Sequence, residues 1–330
     1  MVSNTSLRQV RTGAGLTQGE LAARSGVSRQ LIGAVESGRH LPRVDAALAM
    51  ATALGVDVAD LFPTRSEAVD VVTGSAPAVG TMVRFGRVGD TMVTRPLRSG
   101  RDGWGVADGI MDQGNIRVFD VSGPGMVIVG CEPGLEILET MLRQEGAGAL
   151  AVAASSRSAV EALSAGRAHA AIVHGSGESP PISGVERFRF ATWRVGLSAP
   201  PEPAQDWFQR LLDGPAAIVQ RETGAAAQEA LLDAIPHLVP SGPVAGSHLE
   251  AVQIGIHTGM AALTIEPVAV EAGLEFRPLE THRVDLLVDP RWRHDPAVSS
   301  AMSVMGSSRF LGRLRAFGGY DLSEHGTKVA

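Results

Sequence analysis

Cysteine is almost absent, Cys131 being the only one in 330 residues. A single thiol excludes an internal disulfide framework and any multi-cysteine metal cluster, so a reducing compartment and no metal site are expected. Lysine is equally scarce: Lys328 stands alone, and arginine supplies the rest of the positive charge. Aromatic residues make up only 4%. No apolar run reaches the roughly 20 residues of a membrane span, and the amino terminus lacks a signal peptide's apolar middle. The expectation is a cytoplasmic protein with no membrane partner. Several catalytic signatures are missing too: a Gly-x-Ser-x-Gly elbow, a His-Glu-x-x-His pair and a phosphate loop ending in Gly-Lys-Ser/Thr. Gly146-Ala-Gly148-Ala-Leu-Ala imitates a dinucleotide fingerprint, but it follows a helical segment and precedes a strand, the reverse of the required context. Neither an enzyme nor a cofactor is expected.

What is present suits two or three domains of ordinary size. Hydrophobic residues reach 44%, mean hydropathy is +0.10 and glycine numbers 39, a composition of compact α/β proteins rich in small residues. The net charge of -6 rules out a uniformly basic nucleic-acid coat. A local basic face exists nevertheless: up to Arg43 the chain carries Arg8, Arg11, Arg24, Arg29, Arg39 and Arg43 against only Glu20 and Glu36.

Residues 1–62 read as short helices: Ser6 to Thr12, a second capped by Thr17 with Glu20 three residues on, a third capped by Ser28 and ending near Gly38, then Val44 to Leu54 and Val58 to Phe62 before Pro63. From about Ala68 to Val118, short β-branched runs broken by glycine predict hairpin strands. Beyond Asn115, strands and helices alternate: Met126 to Val129, Leu135 to Arg143, Ala149 to Ala153, Ser158 to Ala165 and Ala170 to Val173. A strand at Phe188 to Ser198, a helix near Gln205 to Asp213, a strand at Ala216 to Val219 and a helix from Thr223 to Ile235 follow. Then come Leu249 to Gly255, Ala261 to Ile265, Val284 to Val288 and a helical region from Pro296 to Ala316. That alternation predicts βαβ units and a mostly parallel sheet.

The segment from Gly15 to Arg39, Gly-Leu-Thr-Gln-Gly-Glu-Leu-Ala-Ala-Arg-Ser-Gly-Val-Ser-Arg-Gln-Leu-Ile-Gly-Ala-Val-Glu-Ser-Gly-Arg, resembles the XRE (lambda-repressor, Cro/C1-like) helix-turn-helix family over residues 6–62. Leu21, Ala22, Val27, Ile32 and Val35 supply the apolar seam of two steeply crossing helices, and Gly26 the turn. Arg29 and Gln30 at the start of the recognition helix are base-reading candidates, since arginine suits guanine and glutamine adenine. Gly33 leaves room one turn later. Gln18 and Ser28 resemble the family's phosphate-contacting positions, with Arg39 and Arg43 adding charge.

Four further segments, Val129-Gly-Cys-Glu-Pro-Gly-Leu-Glu, Ser155-Ser-Arg-Ser-Ala-Val-Glu-Ala-Leu, Gln220-Arg-Glu-Thr-Gly-Ala-Ala-Ala and Phe317-Gly-Gly-Tyr-Asp, resemble the type II periplasmic-binding-protein fold of molybdate-binding proteins. The resemblance implies two α/β lobes whose strand ends and helix starts hold a guest in the cleft between them, often an oxyanion. Cys131, Glu132, Ser155, Ser156, Arg221, Thr223 and Gly224 are cleft candidates, with His174, His248 and Glu266 at other strand or helix ends. Thr223-Gly224-Ala225-Ala226 stands where relatives often have Gly-Ser-Gly, and Glu132 and Glu266 add negative charge, which favours a small organic guest as much as an oxyanion. Taken singly, His174 reads more readily as a hydrogen-bonded structural residue than as a ligand contact, and Cys131 as a small buried apolar group rather than a reactive thiol.

The fold expected is therefore multidomain: an all-α helix-turn-helix (residues 1–65), a β-rich connector (66–118) and a two-lobed binding-protein-like α/β domain (119–330), its second lobe about 195–283. The function expected is a one-component transcription regulator. A homodimer or higher homo-oligomer would bind double-stranded DNA at an inverted repeat. A small-molecule or oxyanion effector would close the lobes about a hinge near Thr192 to Ser198 and Arg283 to Val288. The alternatives are an enzyme working in the cleft beside a DNA-binding module, and a domain that has lost its guest and serves as a dimerisation surface.

Overall fold

The computed structural model describes residues 6–37, 40, 42–62, 68–97, 106–119, 125–177, 182–214 and 217–329. Short helices come first: α1 (Ser6–Gly13), α2 (Gln18–Ser25), α3 (Arg29–Glu36), α4 (Val44–Leu54) and α5 (Val58–Leu61). Thr17 and Glu20 close a capping box at the start of α2, the Glu20 N–H donating to Thr17 Oγ1 at 3.2 Å and the Thr17 N–H to Glu20 Oε2 at 2.7 Å. The helix stops at Gly26, whose φ of +69° a side chain would resist. Ser28 Oγ then accepts from the Leu31 N–H and starts α3. Leu7, Leu21, Ile32, Val35, Met50 and Leu61 form one buried centre, which fixes α2 against α3.

A sheet follows, built from β1 (Val69–Asp70), β2 (Met82–Val88), β3 (Thr91–Pro96), β4 (Gly109–Asp112) and β5 (Asn115–Val118) in the order β1-β3-β2-β4-β5. It is more than a connector, because Val71, Val88 and Val93 share a core with Val127, Val129, Leu150 and Leu163 of the next unit. Polar contacts reinforce the joint. Arg167 Nε donates to the Val71 carbonyl at 3.0 Å, and Arg84 and Arg95 each reach a carbonyl, of Ala149 and Ala151, at 3.3 Å.

The remaining elements are β6 (Met126–Gly130), α6 (Gly134–Gln144), β7 (Ala149–Ala153), α7 (Ser156–Ser164), β8 (Ala170–Gly175), β9 (Glu186–Ser198), α8 (Trp207–Asp213), β10 (Ile218–Arg221), α9 (Ala226–Ala234), β11 (Val244–Ala245), α10 (His248–Thr258), β12 (Ala261–Ile265), α11 (Glu266–Glu271), β13 (Phe276–Val288), α12 (Pro296–Met305), α13 (Ser308–Phe317) and β14 (Lys328–Val329). Their sheet runs β11-β10-β12-β9-β13-β8-β6-β7, with β14 on β9. β7 lies at one end of that order, so the two arginines from the preceding sheet cover carbonyls of an edge strand.

Two long antiparallel strands join the lobes. β13 pairs with β8 through residues 283–288, whereas β9 pairs with β12 through residues 195–198. The passage between lobes falls in the intervening residues, at Trp193 and His282, which sit opposite each other in register. The first half of β13, residues 276–283, mixes exposed Arg277, Pro278, Thr281 and Arg283 with half-buried Phe276, Leu279 and Glu280, so no apolar alternation marks it as a strand. Leu249 to Gly255 belongs to helix α10, begun by the Ser247 cap. The carboxy-terminal helical region is two helices, parted at Gly306 and Ser307.

Candidate DNA interface and inter-lobe site

At the amino terminus, Ser28, Arg29 and Gln30 are exposed together at the start of α3, with Gly33 half-buried one turn on. A Cβ at Gly33 would lie 3.9 Å from the Gln18 amide, so Gln18 and the recognition helix share one surface. Gln18 is held there from behind. Its Nε2 donates to Glu36 Oε2 at 2.8 Å, and Arg11 Nε donates to Glu36 Oε1 at 2.6 Å. The buried carboxylate thus ties α1, α2 and α3 together, a role its place in the sequence motif did not disclose. Burial alone would push the Glu36 carboxyl up; hydrogen bonds from Arg11 and Gln18 and the arginine's charge overcome that and hold it below the ordinary range. Arg43 is exposed at the start of α4. Arg39 and Gly38 lie outside the described residues.

In the second site, the fold collects residues from both lobes and from the strands that join them. Cys131 follows β6 and His174 is the next-to-last residue of β8; Arg221 ends β10 and His248 opens α10; Trp193 and His282 come from β9 and β13. Arg221 is 2% exposed. Its Nε donates to the Ala245 carbonyl at 3.1 Å, and its Nη2 to the Gly246 carbonyl at 3.1 Å and to Cys131 Sγ at 3.3 Å, bridging the lobes. His174 Nδ1 and His282 Nδ1 lie 2.9 Å apart, and His282 Nε2 lies 2.9 Å from Glu280 Oε2. The His174 and Trp193 rings are 4.6 Å apart at their centroids.

Beside Cys131, the Glu132 carboxylate accepts from the Gly134 N–H at 2.8 Å, Trp193 Nε1 at 3.0 Å and the Tyr320 hydroxyl at 2.5 Å. Burial still leaves its pKa raised, and burial pushes the Tyr320 phenol well above its ordinary value, with the neighbouring carboxylate adding to the effect. Burial likewise drives His174 and His248 well below the ordinary imidazole range, helped by the other imidazoles and by Arg221. Both rings are therefore neutral at physiological pH.

Not every candidate joins this cluster. Ser155 caps α7, accepting from the Ser158 N–H, while Ser156 Oγ accepts from the backbone N–H of His174 at 3.0 Å and so braces the end of β8. Thr223 is exposed, and Gly224, at φ +81°, makes the turn into α9. Glu266 is ion-paired with Arg194, its Oε2 accepting from Arg194 Nε at 2.7 Å outside the cluster. Trp193 and Tyr320 lie in segments that the sequence marks, the hinge and the closing Phe317-Gly-Gly-Tyr-Asp, but nothing local assigns their side chains to the site, and nothing local marks His282 at all. No metal constellation was expected from a single cysteine, yet a ligand atom from each of Cys131, His174 and His248 falls within 4.8 Å of the others. The three residues come from distant parts of the chain, so only the folded sheet reveals their proximity.

Two cavities flank the cluster. One, of about 60 Å³, is lined by Cys131, Glu132, Ser247, His248 and Arg95 among others. The second, of about 220 Å³, is acidic, with Glu229, Asp233, Glu280 and His282 in its wall. Among the described residues, no helix is long and apolar enough to cross a membrane.

A capped helix pair with an exposed basic helix start, followed by two α/β lobes linked by the paired strands β9 and β13, defines a helix-turn-helix protein with a binding-protein-like domain. Residues 7–61 match the helix-turn-helix family model and residues 138–306 match the PBP superfamily domain. The chain belongs to the PBP superfamily and carries an XRE-type helix-turn-helix at its amino terminus. It is 48% identical over 59 residues to an uncharacterized HTH-type transcriptional regulator of Methanothermobacter thermautotrophicus, a match covering 18% of this chain and 86% of that one. Among solved structures it is similar to the restriction-modification controller protein C.AhdI from Aeromonas hydrophila, at 40% identity, covering 17% of this chain and 86% of that chain with a TM-score of 0.17. A second similarity is to an ABC-type phosphate transport receptor from Vibrio cholerae, at 12% identity, 59% and 99% coverage and a TM-score of 0.42. A third is to the bromide-bound regulatory domain of HypT from Salmonella typhimurium, at 13% identity, 58% and 94% coverage and a TM-score of 0.43.

Proposed function

We propose that the protein is a ligand-responsive transcription regulator. Two helix-turn-helix modules of a homodimer bind an inverted-repeat operator in double-stranded DNA, and a guest between the lobes changes the affinity for it. The observation that carries the DNA half is the joint exposure of Ser28, Arg29 and Gln30 on a helix start whose neighbour Gln18 is anchored through Glu36. One module contacts too few base pairs for useful discrimination, hence the dimer. Closure would turn about Trp193 and His282, and the guest shifts the operator equilibrium only by its differential affinity for open and closed lobes.

The helix starts facing the cleft bear on the class of guest. Glu132 accepts from the Gly134 N–H at the head of α6, Ser155 caps α7 and Ser247 caps α10. An oxyanion such as molybdate would find one donor at each of these starts already engaged, in one case by a carboxylate, which supports a guest of other chemistry. The smaller cavity falls well below the roughly 300 Å³ at which drug-sized ligand pockets begin. The same dense packing favours a second reading, in which the lobes hold no guest and serve as a dimerisation surface.

Selection of DNA sequences by the full-length chain, followed by titration of the winning duplex against a scrambled one, tests the regulatory reading. Specific affinity at least about 10³-fold above the scrambled duplex at physiological salt is expected. Equal binding to both would overturn it.

A further inference from the structure

We propose that Cys131, His174 and His248 form a site for a first-row transition-metal ion of the zinc and copper class, which bridges the two lobes. Cys131 and His174 belong to one lobe and His248 to the other, and a ligand atom from each lies within 4.8 Å of the rest. Sulfur and imidazole together select such ions over magnesium or calcium, which require oxygen.

His248 is the observation that points to an occupant. It is 1% exposed, and neither ring nitrogen has a hydrogen-bond partner among the described residues. A buried imidazole with both nitrogens bare loses solvation that nothing else in the fold returns, whereas coordination to an ion would compensate it.

His174 is prepared for the same task. The Glu280 carboxylate accepts from His282 Nε2, which leaves His282 Nδ1 as the acceptor for a proton on His174 Nδ1. That chain assigns a tautomer in which His174 Nε2 carries a free lone pair. A metal-bound histidine usually donates its other N–H to a carboxylate, directly or through a neighbour, and here the neighbour is His282. The smaller cavity opens on both Cys131 and His248 and has room for an ion with a bound water. Glu132 in the same wall and Glu280 behind His282 supply negative charge against the ion and Arg221.

Geometry also says what the ion would do. Zinc–sulfur and zinc–nitrogen bonds of about 2.3 and 2.0 Å place ligand atoms roughly 3.3 to 3.5 Å apart in a tetrahedron, tighter than the 4.8 Å within which they lie here. Filling the site draws His248 towards Cys131 and His174, and with it one lobe towards the other. This deepens the regulatory reading, and only the ion's part as effector rests on that reading.

The test is a Co(II) titration of the full-length, metal-stripped chain, read by absorption. One equivalent is expected to produce a sulfur-to-cobalt charge-transfer band and visible bands of tetrahedral strength, both abolished by one equivalent of Zn(II). Cys131→Ser, which nearly keeps the shape, loses the charge-transfer band while melting cooperatively without metal. His248→Gln weakens Co(II) binding at least about tenfold. Absence of the charge-transfer band in the wild type, or its survival in Cys131→Ser, overturns the site. The operator titration, run with and without Zn(II), is read separately: a chain that binds no DNA yet gives the cobalt spectrum removes the regulatory reading and leaves the site standing.

Discussion

The Tyr320 hydroxyl donates to Glu132 Oε1 at 2.5 Å and so pins the carboxy-terminal segment to the mouth of the inter-lobe site. Tyr320 is the only tyrosine in the chain, and its partner carboxylate is buried. Removing the hydroxyl takes one of three donors from a desolvated carboxylate. Tyr320→Phe is expected to lower stability by about 1–3 kcal/mol, visible as a reduced Tm in calorimetry. An unchanged Tm would mean that water or another group replaces the hydroxyl at no cost.

A second expectation concerns acid. The Glu36 carboxyl is held below its unfolded value, so its contribution to stability is fully present above the ordinary glutamate pKa of about 4.3 and is lost as pH falls through the lower folded value. Glu36→Gln should lower the melting temperature of the helix-turn-helix at neutral pH and flatten its fall in acid. Circular-dichroism melts across that pH range measure both, and parallel curves for wild type and variant would contradict the assignment.

Arg29 and Gln30, exposed at the start of α3, are the proposed base readers. With both changed to alanine, binding should keep its salt dependence and lose its preference for the selected operator, a loss of about 1–3 kcal/mol per base pair no longer read. Retained selectivity in a competition titration would move sequence recognition to other residues.

Gly196 occupies a place in β9 that admits no side chain, because an added Cβ would lie 2.1 Å from the Arg277 carbonyl oxygen and 2.8 Å from the Phe276 ring. Gly196→Ala forces the paired strands apart just beyond the lobe passage. A stability loss of about 1–3 kcal/mol in chemical denaturation is expected. A variant as stable as wild type would show that β13 yields there freely.

Much of the helix-turn-helix was legible because its signals are local. Thr17 with Glu20, Gly26 and Ser28 each act within four residues, and the apolar spacing of Leu21, Val27, Ile32 and Val35 completes the pattern. The parallel strands around β6 and β8 were equally plain, being apolar on both faces. The outer half of β13 was hidden by its polar, exposed residues, and α10 by its short apolar centre, which helix and strand accommodate alike. The clustered site was the least accessible. Cys131, His174, His248 and His282 approach one another only through pairing between strands distant in sequence, and a solitary histidine or cysteine carries no sign of its neighbours.

The valines shared between the five-strand sheet and the first lobe have a practical corollary for dissecting the protein. A fragment cut at residue 119, where the sequence invites the scissors, would strip Val127 and Leu150 of their cover and leave β7 without the arginines on its rim. Expressed by itself it should aggregate. The smallest binding-protein-like unit that can be excised intact therefore starts before β1, near Ala68.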